Sequence, residues 1–251
     1  MYEFTHGIDH IGQNGFAPIL VIGKNVCEQD FIARDLSDIQ GIHISHRGLD
    51  GGVQWHDINV ELLGKKFPQL RYLHIEFGSS CDVSDFGDQP LIEHLTLICP
   101  KLKQKHVRPQ FQKAQIIELQ IPTKYFADLI SNRVEKLTLY RPKISTLNEL
   151  PPRQTLRKLK VVLARNLESL QGIENFSNLT SAAFSDCPNL VEIGNQYENS
   201  RIREMSLFGC KKLRSIEGLA QAQSLEKSVV IGAPKELIVP DEIIPIFKNR
   251  M

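Results

Sequence analysis

The sequence predicts an α/β fold of the solenoid type, a right-handed coil whose short strands stack into a parallel sheet. Two observations carry this prediction. A pattern of apolar residues, apolar-x-x-apolar-x-apolar, recurs along most of the 251-residue chain, and each clear copy continues through a small residue to a leucine. The copies follow each other at about 23 residues, an interval too short for an independent core and typical of units that stack on their neighbours.

The repeat is most regular in the second half of the chain. Leu156, Leu179, Ile202 and Leu225 each open a copy, and the interval between them is 23 residues. Towards the N-terminus the intervals vary from 18 to 31 residues, which predicts an irregular coil. The nine predicted triplets are Ile39/Ile42/Ile44, Leu70/Leu73/Ile75, Ile92/Leu95/Leu97, Ile116/Leu119/Ile121, Val134/Leu137/Leu139, Leu156/Leu159/Val161, Leu179/Ala182/Phe184, Ile202/Met205/Leu207 and Leu225/Ser228/Val230.

Alternation along each strand predicts which side chains face the core. Successive side chains of a strand point to opposite faces, so the second and third apolar residues of a triplet point inward. The residues beside them point outward and are expected to form a parallel β-sheet on the concave face. The convex face carries pairs such as Leu147 and Leu150, or Ile216 and Leu219, which predict short 3₁₀ or irregular turns.

Both ends of the repeat array need a cap, because the terminal coils would otherwise expose their cores. Residues 1–38 are expected to form an N-terminal cap, with a strand or hairpin at Pro18–Ile22 and a helix over Glu28–Ile39, where apolar residues recur at helical spacing. The repeats are expected over 39–237. Residues 238–251 are expected to form a C-terminal cap, since Val239–Phe247 is apolar and contains two prolines.

The most regular copies share a longer phrase. Residues 210–219 read CKKLRSIEGL, residues 164–173 read ARNLESLQGI, and residues 187–190 begin the same phrase with CPNL. This pattern resembles the leucine-rich-repeat family, whose unit is L-x-x-L-x-L-x-x-[N/C]-x-L over about 20–29 residues. The resemblance covers residues 39–237, most of the chain. The sequence departs from the family where cysteine or alanine replaces the usual asparagine.

No motif in the chain indicates catalysis. The sequence lacks a nucleophile elbow, a P-loop and the H-E-x-x-H zinc motif, and its five cysteines form no C-x-x-C pair. Cys187 and Cys210 occupy the inward turn of the repeat and are expected to be buried small hydrophobes. His43 and His46 lie three residues apart on a predicted strand, so they point to opposite faces and predict no metal site. We expect no enzyme, no cofactor and no small-molecule substrate.

Composition limits the compartment and the partner. The formal net charge of +1 predicts no general attraction to nucleic acid or to a membrane. The longest apolar run, Phe16–Gly23, is too short to span a membrane, and the first residues do not resemble a signal peptide. With an odd number of cysteines and no export signal, a cytoplasmic protein with reduced thiols is expected.

Partner-binding residues are predicted on the concave face, in three rows that run across the strands before, between and after the last two apolar residues of each triplet. The third row is largely apolar, and it either forms an exposed interface or is covered by returning loops. Its apolar members are Ile98, Pro122, Tyr140, Val162, Phe208 and Ile231. The candidate binding residues are Tyr72, His74, His94, Thr96, Glu118, Gln120, Lys136, Thr138, Tyr140, Lys158, Lys160, Val162, Ser206 and Phe208.

Charge is unevenly distributed along the chain. Lys101–Lys113 and Arg153–Arg165 each hold five basic residues and no acid, whereas Asp82–Glu93 holds four acids and no base. Lys136, Lys158 and Lys160 are expected to make the middle of the concave face positive. Because like charges on neighbouring strands destabilise a sheet, an acidic partner is the expected use of these lysines.

The resemblance implies a protein-binding role. The chain is similar to stand-alone bacterial leucine-rich-repeat proteins that lack a kinase or nucleotide-binding domain, among which are immunity proteins that neutralise a cognate toxin. This likeness implies a non-enzymatic module that binds a protein partner through its concave face. The alternatives are an effector that acts on host proteins, and nucleic-acid binding through the central basic strip, which would need many phosphate contacts.

Overall fold

The structure is a computed structural model, and it describes residues 19–22, 37, 39–45, 67–78, 80–82, 91–103, 111–195, 197–198 and 200–250. The chain divides into two compact units, Met1–Ser131 and Asn132–Met251. Each unit is built on its own run of parallel strands with few helices, an α/β arrangement.

The first unit contains one larger and one smaller parallel sheet among its described residues. The larger sheet has the strand order β1-β2-β3-β5-β7, and the smaller sheet pairs β4 with β6. The strands are β1 (Ile19–Ile22), β2 (Gly41–Ser45), β3 (Tyr72–Glu76), β4 (Ser80–Asp82), β5 (His94–Ile98), β6 (Lys101–Lys103) and β7 (Ile116–Gln120). A 3₁₀ turn at Thr123–Tyr125 leads into the short helix α1 at Phe126–Leu129. The sequence analysis did not predict the smaller sheet.

The second unit is a regular parallel sheet in which the strands pair in chain order. Its strands are β8 (Lys136–Tyr140), β9 (Lys158–Val162), β10 (Ser181–Ser185), β11 (Glu204–Phe208), β12 (Lys227–Ile231) and β13 (Phe247–Arg250). The 3₁₀ turns between them are Leu147–Glu149, Ile173–Asn175, Glu217–Gln221 and Asp241–Ile246. A second line of parallel bridges joins Ser169, Glu192, Ser215 and Ile238. Successive repeats of this unit therefore meet twice, at the strand and at the turn, and the predicted 3₁₀ turns are confirmed here.

All nine predicted triplets are associated with strands, and the pairing confirms the predicted register for eight of them. The register predicted for β7 was wrong. Leu95 pairs with Ile117 and Leu97 with Leu119, so the triplet is Ala114/Ile117/Leu119 rather than Ile116/Leu119/Ile121. A shift of two residues leaves every side chain on the expected face, because the side-chain period of a strand is two. It moves each outward residue by one row, so Glu118 lies in the second row and Gln120 in the third.

The inward columns of the second unit form its core. The column of third apolar residues contains Leu139, Val161, Phe184, Leu207 and Val230, all of them buried. The turn position beside it is also buried, as expected for Cys187 and Cys210. The Cys187 thiol donates to the carbonyl of Ser185 over 3.6 Å, and Cys210 repeats this contact with Phe208. The hydrogen bond with Cys187, together with burial, raises the pKa of the Cys210 thiol, which favours a structural thiol over a nucleophile.

A left-handed residue follows each of five consecutive strands in the second unit. The φ angles are 51°, 59° and 54° at Arg141, Leu163 and Asp186, and 63° and 70° at Gly209 and Gly232. The amide of each of the first four donates to the carbonyl of the last residue of the next strand. The chain therefore leaves every strand by the same turn, although only two of the five positions carry the glycine that this conformation favours.

Ser228 is an exception among the inward residues of the second unit. It is 0% exposed in the column of Leu137, Leu159 and Met205, and its hydroxyl has no hydrogen-bond partner among the described residues. Ser228→Ala is expected to raise the free energy of unfolding by about 1 kcal/mol, because a buried hydroxyl without a partner costs roughly 1–3 kcal/mol. Urea denaturation measures the change. Ser206→Ala is the matched control, since Ser206 points to the other face and is half-buried. An unchanged stability of the Ser228 variant would contradict the prediction.

The ends of the chain are described in part. Strand β1 pairs with β2, as expected for a capping strand near Pro18–Ile22, whereas the predicted helix at Glu28–Ile39 falls almost entirely outside the described residues. Strand β13, which the sequence did not predict, pairs in parallel with β12. The boundaries 1–38, 39–237 and 238–251 stay predictions.

Candidate functional site

The outward residues of the second unit form three rows, and their register agrees with the sequence prediction. The first row begins with Lys136, Lys158 and Ser181. The second row contains Thr138, Lys160, Ala183 and Ser206. The third row contains Tyr140, Val162, Ser185, Phe208 and Ile231. Inward and outward residues alternate in burial along each strand, for example buried Leu159 between exposed Lys158 and Lys160. All eight candidate residues of this unit therefore lie on one face of its sheet.

Three lysines are concentrated on strands β8 and β9, and we call Lys136, Lys158 and Lys160 the lysine cluster. Lys136 is directly opposite Lys158, so their backbones are about 4.8 Å apart, the usual spacing of neighbouring strands. All three side chains are exposed. In the part of the chain that the structure describes, no carboxylate lies within salt-bridge distance of their ammonium groups. The cluster is therefore a local excess of positive charge facing solvent.

An apolar row lies beside the lysine cluster, composed of Tyr140, Val162, Phe208 and Ile231 with Ser185 between the second and third. Each of these side chains is half-buried. The two alternatives from the sequence, an exposed stripe or a covered one, are thus both too simple. The side chains of this row are partly accessible and partly covered.

Positive charge does not extend along the whole first row. Glu204 of β11 pairs in register with Lys227 of β12 and lies 3.5 Å from the hydroxyl of Ser181. Arg203 forms an exposed salt bridge with Glu226 over 3.7 Å. The unbalanced charge is therefore concentrated on β8 and β9.

In the first unit, burial contradicts part of the predicted surface. Tyr72, His94 and Thr96 were expected to be accessible, but their exposures are 7%, 7% and 3%. Two of them pack against each other: the rings of Tyr72 and His94 meet edge to face at a centroid distance of 4.8 Å. Burial, and next the charge of Glu118, raises the pKa of Tyr72 to about 12. These three residues are packed side chains rather than contact residues.

The remaining candidates of the first unit, His74, Glu118 and Gln120, are half-buried. His74 lies directly opposite His43, and their ring centroids are 4.0 Å apart. Burial, followed by the charges of His43 and His94, lowers the pKa of His74 to about 3. This imidazole is therefore neutral at physiological pH.

A group of potential metal ligands was missed by the sequence analysis. The ligand atoms of His43, His74 and Glu76 all lie within 4.8 Å of one another. The sequence considered His43 only with His46, because these residues are close along the chain. The signal that links the three is the pairing of β2 with β3, which aligns His43 with a residue 31 positions later.

The architecture and the surface define the chain as an α/β protein built on parallel sheets with short helices and 3₁₀ turns. No protein-family model matches the chain, and no curated protein matches its sequence. None of the described helices is long and apolar enough to cross a membrane.

Proposed function

We propose that the protein is a leucine-rich-repeat module that binds an acidic protein surface through the lysine cluster and the apolar row of its second unit. The observation that carries this proposal is the juxtaposition of three exposed, unbalanced lysines with half-buried aromatic side chains on one sheet face. Interfaces commonly combine such aromatic anchors with complementary charge.

The repeat geometry of the second unit supports the assignment to leucine-rich repeats. Its strands, turns and backbone hydrogen bonds recur every 23 residues. For example, the amide of Thr180 donates to the carbonyl of Arg157, and the amide of Arg203 donates to the carbonyl of Thr180. Parallel strands alternating with 3₁₀ turns are what a right-handed leucine-rich-repeat solenoid requires. The thiols of Cys187 and Cys210 donate to backbone carbonyls at the position where the family carries asparagine, so cysteine can supply part of the same hydrogen bonding.

An acidic protein fits this surface better than a nucleic acid. Nucleic-acid binding relies on many phosphate contacts, whereas the lysine cluster offers three ammonium groups on a chain of net charge +1. The adjacent row is apolar and offers contacts to side chains rather than to phosphates. The like charges of Lys136 and Lys158 disfavour the isolated sheet, and an acidic partner would remove that repulsion.

The biological role that best suits such a module is that of a cytoplasmic immunity protein, which would bind and neutralise a cognate bacterial toxin. Occlusion of a toxin needs a stable binding face and no catalytic group. An effector directed at host proteins is the second candidate, and it would use the same face. The two differ in the identity of the partner, which a capture experiment reveals.

Reversing two charges of the lysine cluster tests the proposal. The Lys158→Glu, Lys160→Glu double variant is expected to weaken partner binding by about tenfold or more, since loss of interfacial charge pairs has effects of this size. The partner is first captured from the native cell on immobilised wild-type protein and identified by mass spectrometry. The purified partner is then titrated calorimetrically against wild type and variants.

The matched control is the Lys211→Glu, Lys212→Glu double variant. These lysines are also exposed, and they lie in the turn that follows β11 rather than on the sheet face. The control changes net charge by the same amount and is expected to bind normally. Equal affinities of the two double variants would contradict the proposal. Capture of nucleic acid alone, released by nuclease treatment, would support the basic-strip alternative instead.

A further inference from the structure

Two histidines and a glutamate converge on neighbouring strands of the first unit. His43 on β2 is directly opposite His74 on β3, and Glu76 follows His74 by two residues, so it points to the same face. The candidate ligand atoms of the three side chains lie within 4.8 Å of one another, and all three side chains are half-buried. We call these residues the His–Glu cluster. It lies in the first unit and is independent of the proposed partner surface.

The two ring nitrogens of His74, the central residue of the cluster, have different surroundings, and this difference favours metal binding. Its Nδ1 lies 3.3 Å from the Tyr72 hydroxyl, whereas its buried Nε2 has no hydrogen-bond partner among the described residues. If Nδ1 carries the proton and donates to Tyr72, the lone pair of Nε2 is directed away from that hydrogen bond. Metal-binding histidines commonly have this arrangement, in which the second ring nitrogen is held by an outer partner.

The donor types agree with the same role. Only the neutral imidazole is a ligand. A carboxylate such as Glu76 adds the negative charge that offsets the charge of a divalent cation.

We propose that His43, His74 and Glu76 bind a Zn²⁺ ion. Two imidazole nitrogens and one carboxylate oxygen form a donor set known for zinc sites that keep a fourth position open. Bonds of about 2.1 Å to a tetrahedral ion place ligand atoms about 3.4 Å apart. The ligand atoms lie within 4.8 Å of one another, so they have to approach by at most about 1.4 Å to reach this spacing. The fourth position is available to water or to a side chain of a partner.

Metal titration of the full chain tests this site. Protein stripped with a chelator and kept reduced is titrated with ZnCl₂ by calorimetry and with CoCl₂ by visible absorption. Wild type is expected to bind one Zn²⁺ per chain and to give the visible bands of tetrahedral Co²⁺. Glu76→Gln is expected to weaken binding by about tenfold or more, and His74→Leu to weaken it further, since even outer residues of metal sites have effects of 10–100-fold.

Glu118→Gln is the matched control, because it removes a carboxylate from the same sheet face without removing a proposed ligand. It is expected to bind Zn²⁺ within about twofold of wild type, because β5 separates its strand from β3 and charges about 10 Å apart are largely screened by salt. The comparison of Glu76→Gln with Glu118→Gln decides the question even if His74→Leu proves unstable by circular dichroism. Equal affinities of these two variants, no binding by wild type, or sulfur-to-cobalt absorption from cysteine ligation would each overturn the proposal.

Discussion

Replacing Gly218 with alanine is expected to lower the free energy of unfolding of the second unit by about 3 kcal/mol or more, at the upper end of the cost of overpacking. A Cβ atom at this position would lie 1.8 Å from the carbonyl oxygen of Gly194 and 3.0 Å from the Cα of Asn195. Both are backbone atoms of the preceding repeat. They cannot move aside without separating repeats that the bridge between Glu192 and Ser215 holds together. Urea denaturation followed by circular dichroism measures the loss.

Gly194→Ala is the control for this prediction. Gly194 has a φ of 77°, and a Cβ built there meets no atom within 4 Å. Its cost is therefore limited to the left-handed backbone, about 1–2 kcal/mol. Gly218 differs, because a side chain there would overlap neighbouring backbone atoms, whereas its φ angle is not in the left-handed region. Equal losses of stability for the two variants would contradict the close packing of these neighbouring repeats.

Phe184→Ala is expected to lower the free energy of unfolding by about 3–5 kcal/mol, the usual cost of removing a buried phenyl ring. Phe184 is 0% exposed and lies on β10 between Val161 and Leu207 in the inward column. The neighbouring strands are held by their own pairing, so their side chains can fill the resulting cavity only in part. Thermal and urea denaturation report the change.

Phe208→Ala is the matched substitution on the opposite face. Phe208 is half-buried in the apolar row, so its truncation is expected to cost about 1 kcal/mol, because only part of a buried phenylalanine's 1.5–3 kcal/mol of transfer energy is lost. Under the proposed function it should weaken partner binding, since aromatic side chains are frequent hot spots. If Phe208→Ala destabilised the protein as much as Phe184→Ala, the apolar row would be core and could not be the binding surface.

The outward position of the lysines could be predicted because it depends only on local alternation. Leu159 and Val161 are buried, and the residues beside them must then face the other way in any strand. The buried turn position of Cys187 and Cys210 was predicted in a different way, from their place in the repeat.

The register of β7 could not be predicted with the same certainty. Ile116, Leu119 and Ile121 satisfy the spacing of the triplet as well as Ala114, Ile117 and Leu119 do. Alternation does not distinguish them, because the two registers differ by two residues and place the same side chains inward. The structure selects the pairing of Leu95 with Ile117 and of Leu97 with Leu119, which stacks buried residues of both strands over their whole length.

Contacts between strands also decided which outward residues are accessible. Tyr72, His94 and Thr96 have the alternation of surface residues, yet they are buried, and the rings of Tyr72 and His94 contact each other across β3 and β5. The pairing of β2 with β3 assembles the His–Glu cluster. Its members are up to 33 residues apart, from His43 to Glu76.

The sequence by itself therefore determined the repeat, the face to which each residue of the predicted strands points, and the basic and apolar character of the candidate surface. The tertiary structure alone decided the row of each β7 residue, the burial of Tyr72 and His94, the proximity of His43 to His74 and Glu76, and the lack of space for a side chain at Gly218. The physical reason is that side-chain direction follows from the period of a single strand, whereas neighbours across strands follow from the packing energy of whole repeats against one another.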